Sequence, residues 1–274
     1  MSVALIVIAT ACGSSGGGDP GATDVQAESS TDGGELGQGP DQDDGETTGE
    51  QGSTGEAATI DPGGLATGDV TIDGQVVDYV TVTPEGFERG DTAPVMLAFQ
   101  PGGQDAGLTE SVVDGIYRAE ALARGWVVVS PAAPRDGSSW FGGAEVLAPG
   151  LMDWIEDWVS PEGGGFHIVG VSSGGLSSFR VAGELPDRVR SVLVFPGYPR
   201  SDTDREGLGE LVDVPVRMFV GAEDTTWIPA MEDAEATLVE LGGDVELEVL
   251  PGEGHIIGSL GDGVRIFDEL EAAR

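Results

Sequence analysis

The sequence is poor in positive charge. It contains no lysine and no asparagine, and 49 acidic residues outweigh 12 basic ones, all arginine, for a formal net charge of −37. Nucleic-acid-binding proteins need a basic face for phosphate contacts, and anionic lipid head groups attract basic segments in the same way. The composition therefore excludes nucleic acid as a partner and argues against charge-driven binding to lipid head groups.

Cysteine, histidine and long apolar runs are also scarce. A single cysteine, Cys12, can form neither an intramolecular disulfide nor a cysteine-based zinc site. With only two histidines, His167 and His255, we expect no metal site and no cofactor. The acidic run at 41–46 is out of register with a calcium-binding EF-hand loop. No run of 18 apolar residues is present, so the sequence predicts no ordinary transmembrane helix.

The charges are distributed unevenly along the chain. Residues 1–70 contain 13 acidic residues and no basic one, whereas residues 71–274 contain 36 acidic residues and all 12 arginines. From 13 to 68 the chain is mostly Gly, Asp, Glu, Ser, Thr, Gln and Pro, with too few apolar side chains to offset the entropy of ordering. We interpret 13–68 as a disordered, self-repelling linker and 69–274 as one folded domain.

Residues 1–12 have the pattern of an export signal. An apolar run ends in the small residues 9–11, Ala-Thr-Ala, directly before Cys12. This resembles the lipobox of bacterial lipoproteins, although Ala9 stands where that family usually has leucine and no positive charge precedes the run. The resemblance implies lipid attachment at Cys12 and an extracytoplasmic protein, either membrane-anchored in the cell envelope or secreted. The alternative is a free hydrophobic tail with an incidental cysteine.

From about residue 70 the chain alternates strands with amphipathic helices. Two β-rich runs flank Asp73-Gly74, a strong hairpin signal, and the later chain continues as strand, helix, strand, helix. This order predicts a single α/β domain with a mostly parallel sheet flanked by helices, and reactive residues at the carboxyl ends of its strands. The predicted strands are 95–99, 126–130, 166–171, 189–195, 214–220 and 245–250, and the predicted helices are 108–124, 147–159, 174–183, 229–241 and 263–273.

A serine lies in a glycine-rich turn after one of these strands. Residues 170–175, Gly-Val-Ser-Ser-Gly-Gly, match G-x-S-x-G between a β-rich run and a helix, which is the context of a nucleophile elbow. Glycines permit a strained turn that lifts the Ser172 Oγ above the sheet. Residues 13–17 match the same pattern inside the linker, so the context carries the prediction. The alternative is a β–α turn without reactivity.

Two later loops carry partners for such a serine. Glu223 and Asp224 follow one predicted strand, and His255 follows the last one. A neutral imidazole accepts the serine proton and returns it to the leaving group, while a carboxylate fixes the imidazole tautomer. The order serine, acid, histidine is typical of α/β-hydrolases. His167 lies within a predicted strand, and we expect it to be structural.

These motifs give residues 69–274 a resemblance to serine hydrolases of the α/β-hydrolase fold without a large lid, chiefly to esterases of the polyhydroxybutyrate-depolymerase and feruloyl-esterase-like group. The matching residues are 170–175, 221–224 (Gly-Ala-Glu-Asp) and 254–255 (Gly-His). The resemblance implies Ser172 as nucleophile, His255 as base and Asp224, the last residue of its motif, as the acid. It also implies a small-molecule or polymeric ester substrate.

Such an enzyme needs backbone N–H donors for the oxyanion of its tetrahedral intermediate. We expect one from Ser173, directly after the nucleophile. The second belongs to the loop 100–104, Gln-Pro-Gly-Gly-Gln, where the family often has His-Gly. Pro101 has no N–H, so we favour Gly102.

Three aromatic residues follow strand ends or site residues: Trp140, Phe141 and Trp227. They either line a substrate pocket or cap the sheet. Only about 18 residues separate the strands 189–195 and 214–220, too few for a large helical lid. This favours an open cleft for soluble or polymeric substrates.

The sequence thus favours an esterase acting through an acyl-enzyme over two alternatives. A peptidase of the same fold is disfavoured by the absence of a propeller domain or a large cap. A non-catalytic surface binding protein on a hydrolase scaffold is disfavoured by the intact order of Ser172, Asp224 and His255.

The lipoprotein hypothesis predicts that Cys12→Ser moves the protein from the membrane fraction to the soluble fraction, because the lipidated thiol is lost. Fractionation of cells expressing the full chain, with detection by immunoblot, measures this. Retention of the variant in the membrane fraction would contradict the hypothesis.

Overall fold

The computed structural model describes residues 63–274. The predicted signal segment 1–12 with Cys12, and the predicted linker up to residue 62, lie outside the described residues. The first strand begins at Gly64, inside the range predicted as linker, because residues 64–68 pair in register with 79–83. Gly64, Ala66 and Gly68 have low strand propensity and weakened the β signal, so the folded part begins earlier than predicted.

The strands form one large sheet and one small one. The large sheet has eight strands in the order β1-β2-β5-β4-β7-β8-β9-β10, and β3 pairs with β6. The ranges are β1 Gly64–Ile72, β2 Gln75–Thr83, β3 Thr92–Ala93, β4 Val95–Phe99, β5 Val127–Pro131, β6 Ser160–Pro161, β7 Phe166–Gly170, β8 Val189–Val194, β9 Val216–Gly221 and β10 Val245–Leu250.

Seven α-helices connect or cover these strands within residues 63–274. Their ranges are α1 Ala106–Val112, α2 Arg118–Arg124, α3 Ala148–Glu156, α4 Ser173–Glu184, α5 Asp202–Glu206, α6 Ile228–Leu241 and α7 Val264–Ala272. A π-helical turn, Val113–Tyr117, joins α1 to α2, so the predicted helix 108–124 is one continuous helical run. It ends at Gly125, whose φ of 75° provides a left-handed C-cap.

The loops that follow the parallel strands all lie at one edge of the large sheet, because these strands run in the same direction. β2 is antiparallel to both of its neighbours, whereas β4, β5, β7, β8, β9 and β10 run parallel. Asp73 and Gly74 close the hairpin of β1 and β2 with φ values of 49° and 80°, as a type I′ turn requires. The predicted α/β class with a mostly parallel sheet is confirmed.

The sheet is buried between two helical layers. Alternate side chains of β4 separate the two cores: Leu97 and Phe99 pack with α3, α4 and α6, whereas Met96 and Ala98 pack with α1, α2 and α7. Between β8 and β9 the chain forms only α5 and a 3₁₀ turn, Gly207–Leu211, so no large lid covers this edge. None of the helices in residues 63–274 is long and apolar enough to span a bilayer.

The buried histidine His167 lies in the sheet, far from the edge where the parallel loops meet. Its Nδ1 is 2.7 Å from Ser191 Oγ, and its ring packs against Trp126 with a centroid distance of 4.9 Å. Burial lowers the pKa of His167 to about 4, and the positive charge of Arg190 acts in the same direction. His167 is therefore neutral in the folded protein near neutral pH.

This burial predicts a pH-dependent stability. An unfolded histidine titrates near pH 6.5, so the unfolded chain binds the extra proton first, and the contribution present above pH 6.5 is lost as the pH falls towards 4. The expected loss is about 2 kcal/mol by about pH 5. Urea unfolding of wild type and His167→Gln, each above pH 6.5 and at about pH 5, isolates this loss, because the two proteins have the same carboxylates. An equal pH dependence in the two proteins would contradict a neutral, buried imidazole.

Candidate active site

Ser172 lies in a strained turn between β7 and α4. Its φ of 56° and ψ of −118° are unusual for a residue with a side chain. The Ser172 N–H donates to Pro196 O at 2.8 Å, which ties the turn to the loop after β8. A Cβ on Gly174 would lie 1.9 Å from Phe99 O, so only glycine allows the turn to pack this closely on β4. The strain holds the Ser172 side chain out of the helix and over the sheet edge.

Ser172, His255 and Asp224 form a continuous chain of hydrogen-bonding groups. Ser172 Oγ is 2.8 Å from His255 Nε2, and His255 Nδ1 is 2.6 Å from Asp224 Oδ2. The carboxylate of Asp224 accepts from Nδ1–H, which leaves Nε2 free to accept the serine hydroxyl proton. The Asp224 side chain is 8% exposed and that of His255 40% exposed, so the charge is buried while the imidazole reaches solvent. Asp224, and not Glu223, the other acid that the spacing allowed, is thus the carboxylate hydrogen-bonded to His255.

The histidine loop is tied to the loop that carries Asp224. The Glu223 N–H donates to Glu253 O at 2.9 Å, and a Cβ on Gly221 would lie 2.2 Å from Gly254 O. The Glu253 carboxylate accepts from the backbone N–H groups of Gly258 and the following residue, and these bonds lower the pKa of Glu253. The turn is thereby closed on itself, which fixes the position of the imidazole.

The two predicted oxyanion donors lie side by side. Ser173 Oγ donates to Gly102 O at 2.8 Å, so the loop after β4 touches the first turn of α4. Among residues 63–274, no acceptor is bonded to the backbone N–H of Ser173 or to that of Gly102. Ser173 is the first residue of its helix, where an N–H has no partner within the helix. Both donors are therefore available to a bound oxygen at this edge.

Gln104, which the sequence did not single out, holds the loop 100–104 in place. It is fully buried and has a φ of 55°. Its Nε2 donates to Ser177 Oγ on α4 at 2.9 Å, and its Oε1 accepts from the Trp140 N–H at 3.2 Å. Gln100, which stands at the family's histidine position, is also buried and donates to Ser130 Oγ. Nothing in the sequence distinguished these two glutamines from exposed ones.

Comparison with known proteins agrees with this architecture. No protein-family model and no curated protein matches the chain. A thermostable esterase matches with a TM-score of 0.59 and 14% identity, over 76% of this chain and 61% of that one. Esterase 2 of Thermogutta terrifontis matches at 0.57 and 15%, over 78% and 94%. Dienelactone hydrolase of Anabaena variabilis ATCC 29413 matches at 0.55 and 19%, over 76% and 95%.

At sequence identities of 14% to 19%, the similarity to these structures is a similarity of fold. The chain has the α/β-hydrolase fold. The strand order, the antiparallel β2 and the turn at Ser172 are consistent with this assignment.

In this α/β-hydrolase fold, the three predicted pocket residues have different environments. Trp227 lies against the site, with its ring centroid 4.9 Å from that of His255 and 4.9 Å from that of Tyr198, a residue that the sequence did not indicate. The prediction that Trp140 lines a pocket is wrong. Its side chain is fully buried against Phe99, and its Nε1 donates to Ala132 O at 2.8 Å, so it caps the sheet.

Phe141, the third predicted pocket residue, is half-buried and lies under a cation. The Arg200 guanidinium is 5.4 Å from the Phe141 ring centroid. Arg200 follows β8 on the same loop as Pro196, whose carbonyl accepts from Ser172. The pair thus joins the loop after β5 to the loop after β8 beside the nucleophile.

Two cavities in the described part of the chain lie away from these three residues. One of about 310 Å³ lies beside β2 and α1, and another of about 260 Å³ beside α4 and α5. Neither is lined by Ser172, Asp224 or His255. Within residues 63–274 no group of three or more metal-ligating side chains is placed to hold a metal ion.

A buried ion-pair network supports the loop that carries Phe141 and the loop that carries Arg200. Arg180 of α4 pairs with Glu145 and with Asp204, each at 3.0 Å, and these carboxylates are only 8% and 6% exposed. Glu145 also accepts from the Gly143 N–H, beside Phe141, and Asp204 accepts from the Arg200 N–H. One guanidinium on α4 therefore fixes the backbone of both loops.

This network predicts a large stability difference between two charge-matched variants. Arg180→Met leaves two largely buried carboxylates without their cation and should lower the free energy of unfolding by about 3 kcal/mol. Arg205→Gln removes the same charge from an exposed pair with Asp202, which is 99% exposed, and should cost no more than about 0.5 kcal/mol. Urea unfolding of both variants measures the difference, and equal effects would contradict the network's role.

Proposed function

We propose that this protein is a serine hydrolase that cleaves a carboxylic ester through an acyl-enzyme. The observation that carries the proposal is the hydrogen-bonded chain from Ser172 Oγ through His255 to Asp224, at 2.8 Å and 2.6 Å. Two free N–H groups, on Ser173 and Gly102, lie at the same edge. Together they supply a nucleophile, a base, an orienting acid and an oxyanion site.

Acylation follows from this geometry. As Ser172 Oγ bonds to the ester carbonyl carbon, its proton passes to His255 Nε2. The carbonyl oxygen becomes an oxyanion that the Ser173 and Gly102 N–H groups stabilise. The buried Asp224 carboxylate stabilises the imidazolium, since the interaction is stronger in a low-dielectric site. When the tetrahedral intermediate collapses, His255 gives the proton to the leaving alkoxide, and the acyl group stays on Ser172.

Deacylation repeats these steps with water. His255 accepts a proton from the attacking water, whose oxygen bonds to the acyl carbon, and the oxyanion forms in the same site. Collapse breaks the bond to Ser172 Oγ, which recovers its proton from His255 and releases the carboxylic acid. Every proton is accounted for by Ser172, His255, water and the leaving group, so the reaction needs no cofactor.

We also propose that the enzyme works outside the cytoplasm, held on a membrane by a lipid on Cys12 or released from it. The support is the lipobox-like sequence at 9–12.

A fluorophosphonate probe tests the nucleophile. We expect it to label wild type and Ser111→Ala, whose serine is exposed on α1 and lies outside the triad, but not Ser172→Ala. Labelling of Ser172→Ala, or no labelling of folded wild type, would overturn the assignment and favour a non-catalytic binding protein.

A substrate panel then tests the bond that is cleaved. We expect wild type to hydrolyse p-nitrophenyl esters and Ser172→Ala to lose at least about 10³-fold in kcat. Aminoacyl anilides should react far more slowly, since the proposal assigns an ester. Faster cleavage of the anilides would indicate a peptidase of the same fold.

A further inference from the structure

The Arg200 guanidinium makes no ion pair, in a domain where carboxylates are in large excess. Among residues 63–274, Arg89, Arg190 and Arg200 are the arginines without a carboxylate within ion-pair distance. Residues 71–274 offer 36 acidic side chains to 12 arginines, so an arginine left unpaired is unusual here. Only the backbone N–H of Arg200 is bonded to Asp204; its side chain lies over the ring of Phe141.

The other two unpaired arginines are at the opposite edge of the sheet. Arg190 is the second residue of β8, at its amino end, and Arg89 precedes β3, donating to Asp157 O. Arg200 alone follows the carboxyl end of a strand, where Ser172 lies. Among the described residues, Arg200 is therefore the arginine at the candidate active site that makes no ion pair.

The position of Arg200 is fixed from two sides. Its backbone is held by Asp204, which Arg180 neutralises from α4, and Phe141 is held beneath it through Glu145 and the same Arg180. A guanidinium stacked on an aromatic ring keeps its in-plane N–H donors free, and these match the two oxygens of a carboxylate. The stack thus presents an unfilled, planar anion-binding group.

The catalytic geometry indicates which half of a substrate reaches Arg200. His255 must lie beside the leaving oxygen to protonate it, so the leaving group lies along His255 and Trp227. On the loop after β8, Tyr198 contacts Trp227, whereas Arg200 lies over Phe141. The acyl chain, on the side away from the leaving group, therefore extends towards Arg200.

The position of the Arg200 loop along α4 bears on the length of the acyl chain. Arg180, whose partner Asp204 accepts from the Arg200 N–H, lies eight residues beyond Ser172, about 12 Å along the helix at 1.5 Å per residue. We therefore expect a chain of several carbons between the scissile carbonyl and a carboxylate on Arg200.

We propose that Arg200, stacked on Phe141, binds a carboxylate at the far end of the acyl chain, so that the preferred substrates are monoesters of dicarboxylic acids. This inference rests on the proposed esterase function and narrows its substrate class. The net charge of residues 71–274 repels anions at long range, but screening confines that repulsion to about 8 Å at physiological salt. An anionic acyl chain therefore gains affinity only where Arg200 offers a local cation.

The test compares p-nitrophenyl monoesters of succinic, adipic and suberic acid with p-nitrophenyl butyrate, hexanoate and octanoate. We expect the ratio of kcat/KM, anionic over neutral, to exceed one for the longer pairs and to fall about tenfold in Arg200→Gln. Arg200→Lys should restore part of the ratio, because it keeps the charge without the planar donors.

Arg205→Gln is the matched control. It removes one positive charge five residues from Arg200, and that charge belongs to an exposed ion pair. Its ratio should equal that of wild type. A wild-type ratio below one for every chain length, or an unchanged ratio in Arg200→Gln, would overturn the inference. An equal fall in both variants would do the same, because it would indicate only the general field of the protein.

A binding measurement separates this inference from the proposed function. Calorimetric titration of Ser172→Ala with monomethyl suberate needs no turnover, and Arg200→Gln in that background should raise Kd about tenfold. Equal affinities would overturn the anion site even if esters are hydrolysed. A Kd that depends on Arg200, with no Ser172-dependent ester hydrolysis, would instead overturn the esterase while keeping the anion site.

Discussion

The close contact between the Ser172 turn and β4 is the constraint on which the rest of the site depends. Gly174 packs so tightly on Phe99 O that no side chain fits, and this contact keeps Ser172 at a positive φ. The same turn leaves the Ser173 N–H without a helical partner and sets it beside Gly102. The strained turn at Ser172 and the free N–H of Ser173 therefore arise from one packing contact between two parallel strands and a helix.

Acidic and basic residues are distributed differently before residue 70 and in the folded part of the chain. The acidic residues before residue 70 have no arginine nearby in sequence, whereas most arginines of the folded part form ion pairs. The Arg180 network is partly buried and organises two loops, while the exposed pairs contribute little to stability. Against this background, Arg200 is significant because its charge is still available at the cleft.

The sequence was sufficient for the features that depend on local pattern. Asp73-Gly74 predicted the first hairpin, and strand-end positions predicted that Ser172, Asp224 and His255 would lie at one edge. Features that depend on distant pairing were not predictable. The contacts of Gln104 and Arg180 join residues 24 to 73 positions apart, which no local pattern reports. Two further features leave no clear periodicity in the sequence. One is the burial of an aromatic side chain beside glycines, and the other is a five-residue helix such as α5.

The central claim is that Ser172 carries the acyl group during turnover. Its most direct test is acid quenching of the wild-type protein during reaction with p-nitrophenyl acetate, followed by peptide mass spectrometry. We expect one acetyl group on the peptide that contains Ser172, at the position of that serine. Ester hydrolysis with an acetyl group on another residue, or with no acylated protein at any time, would contradict it.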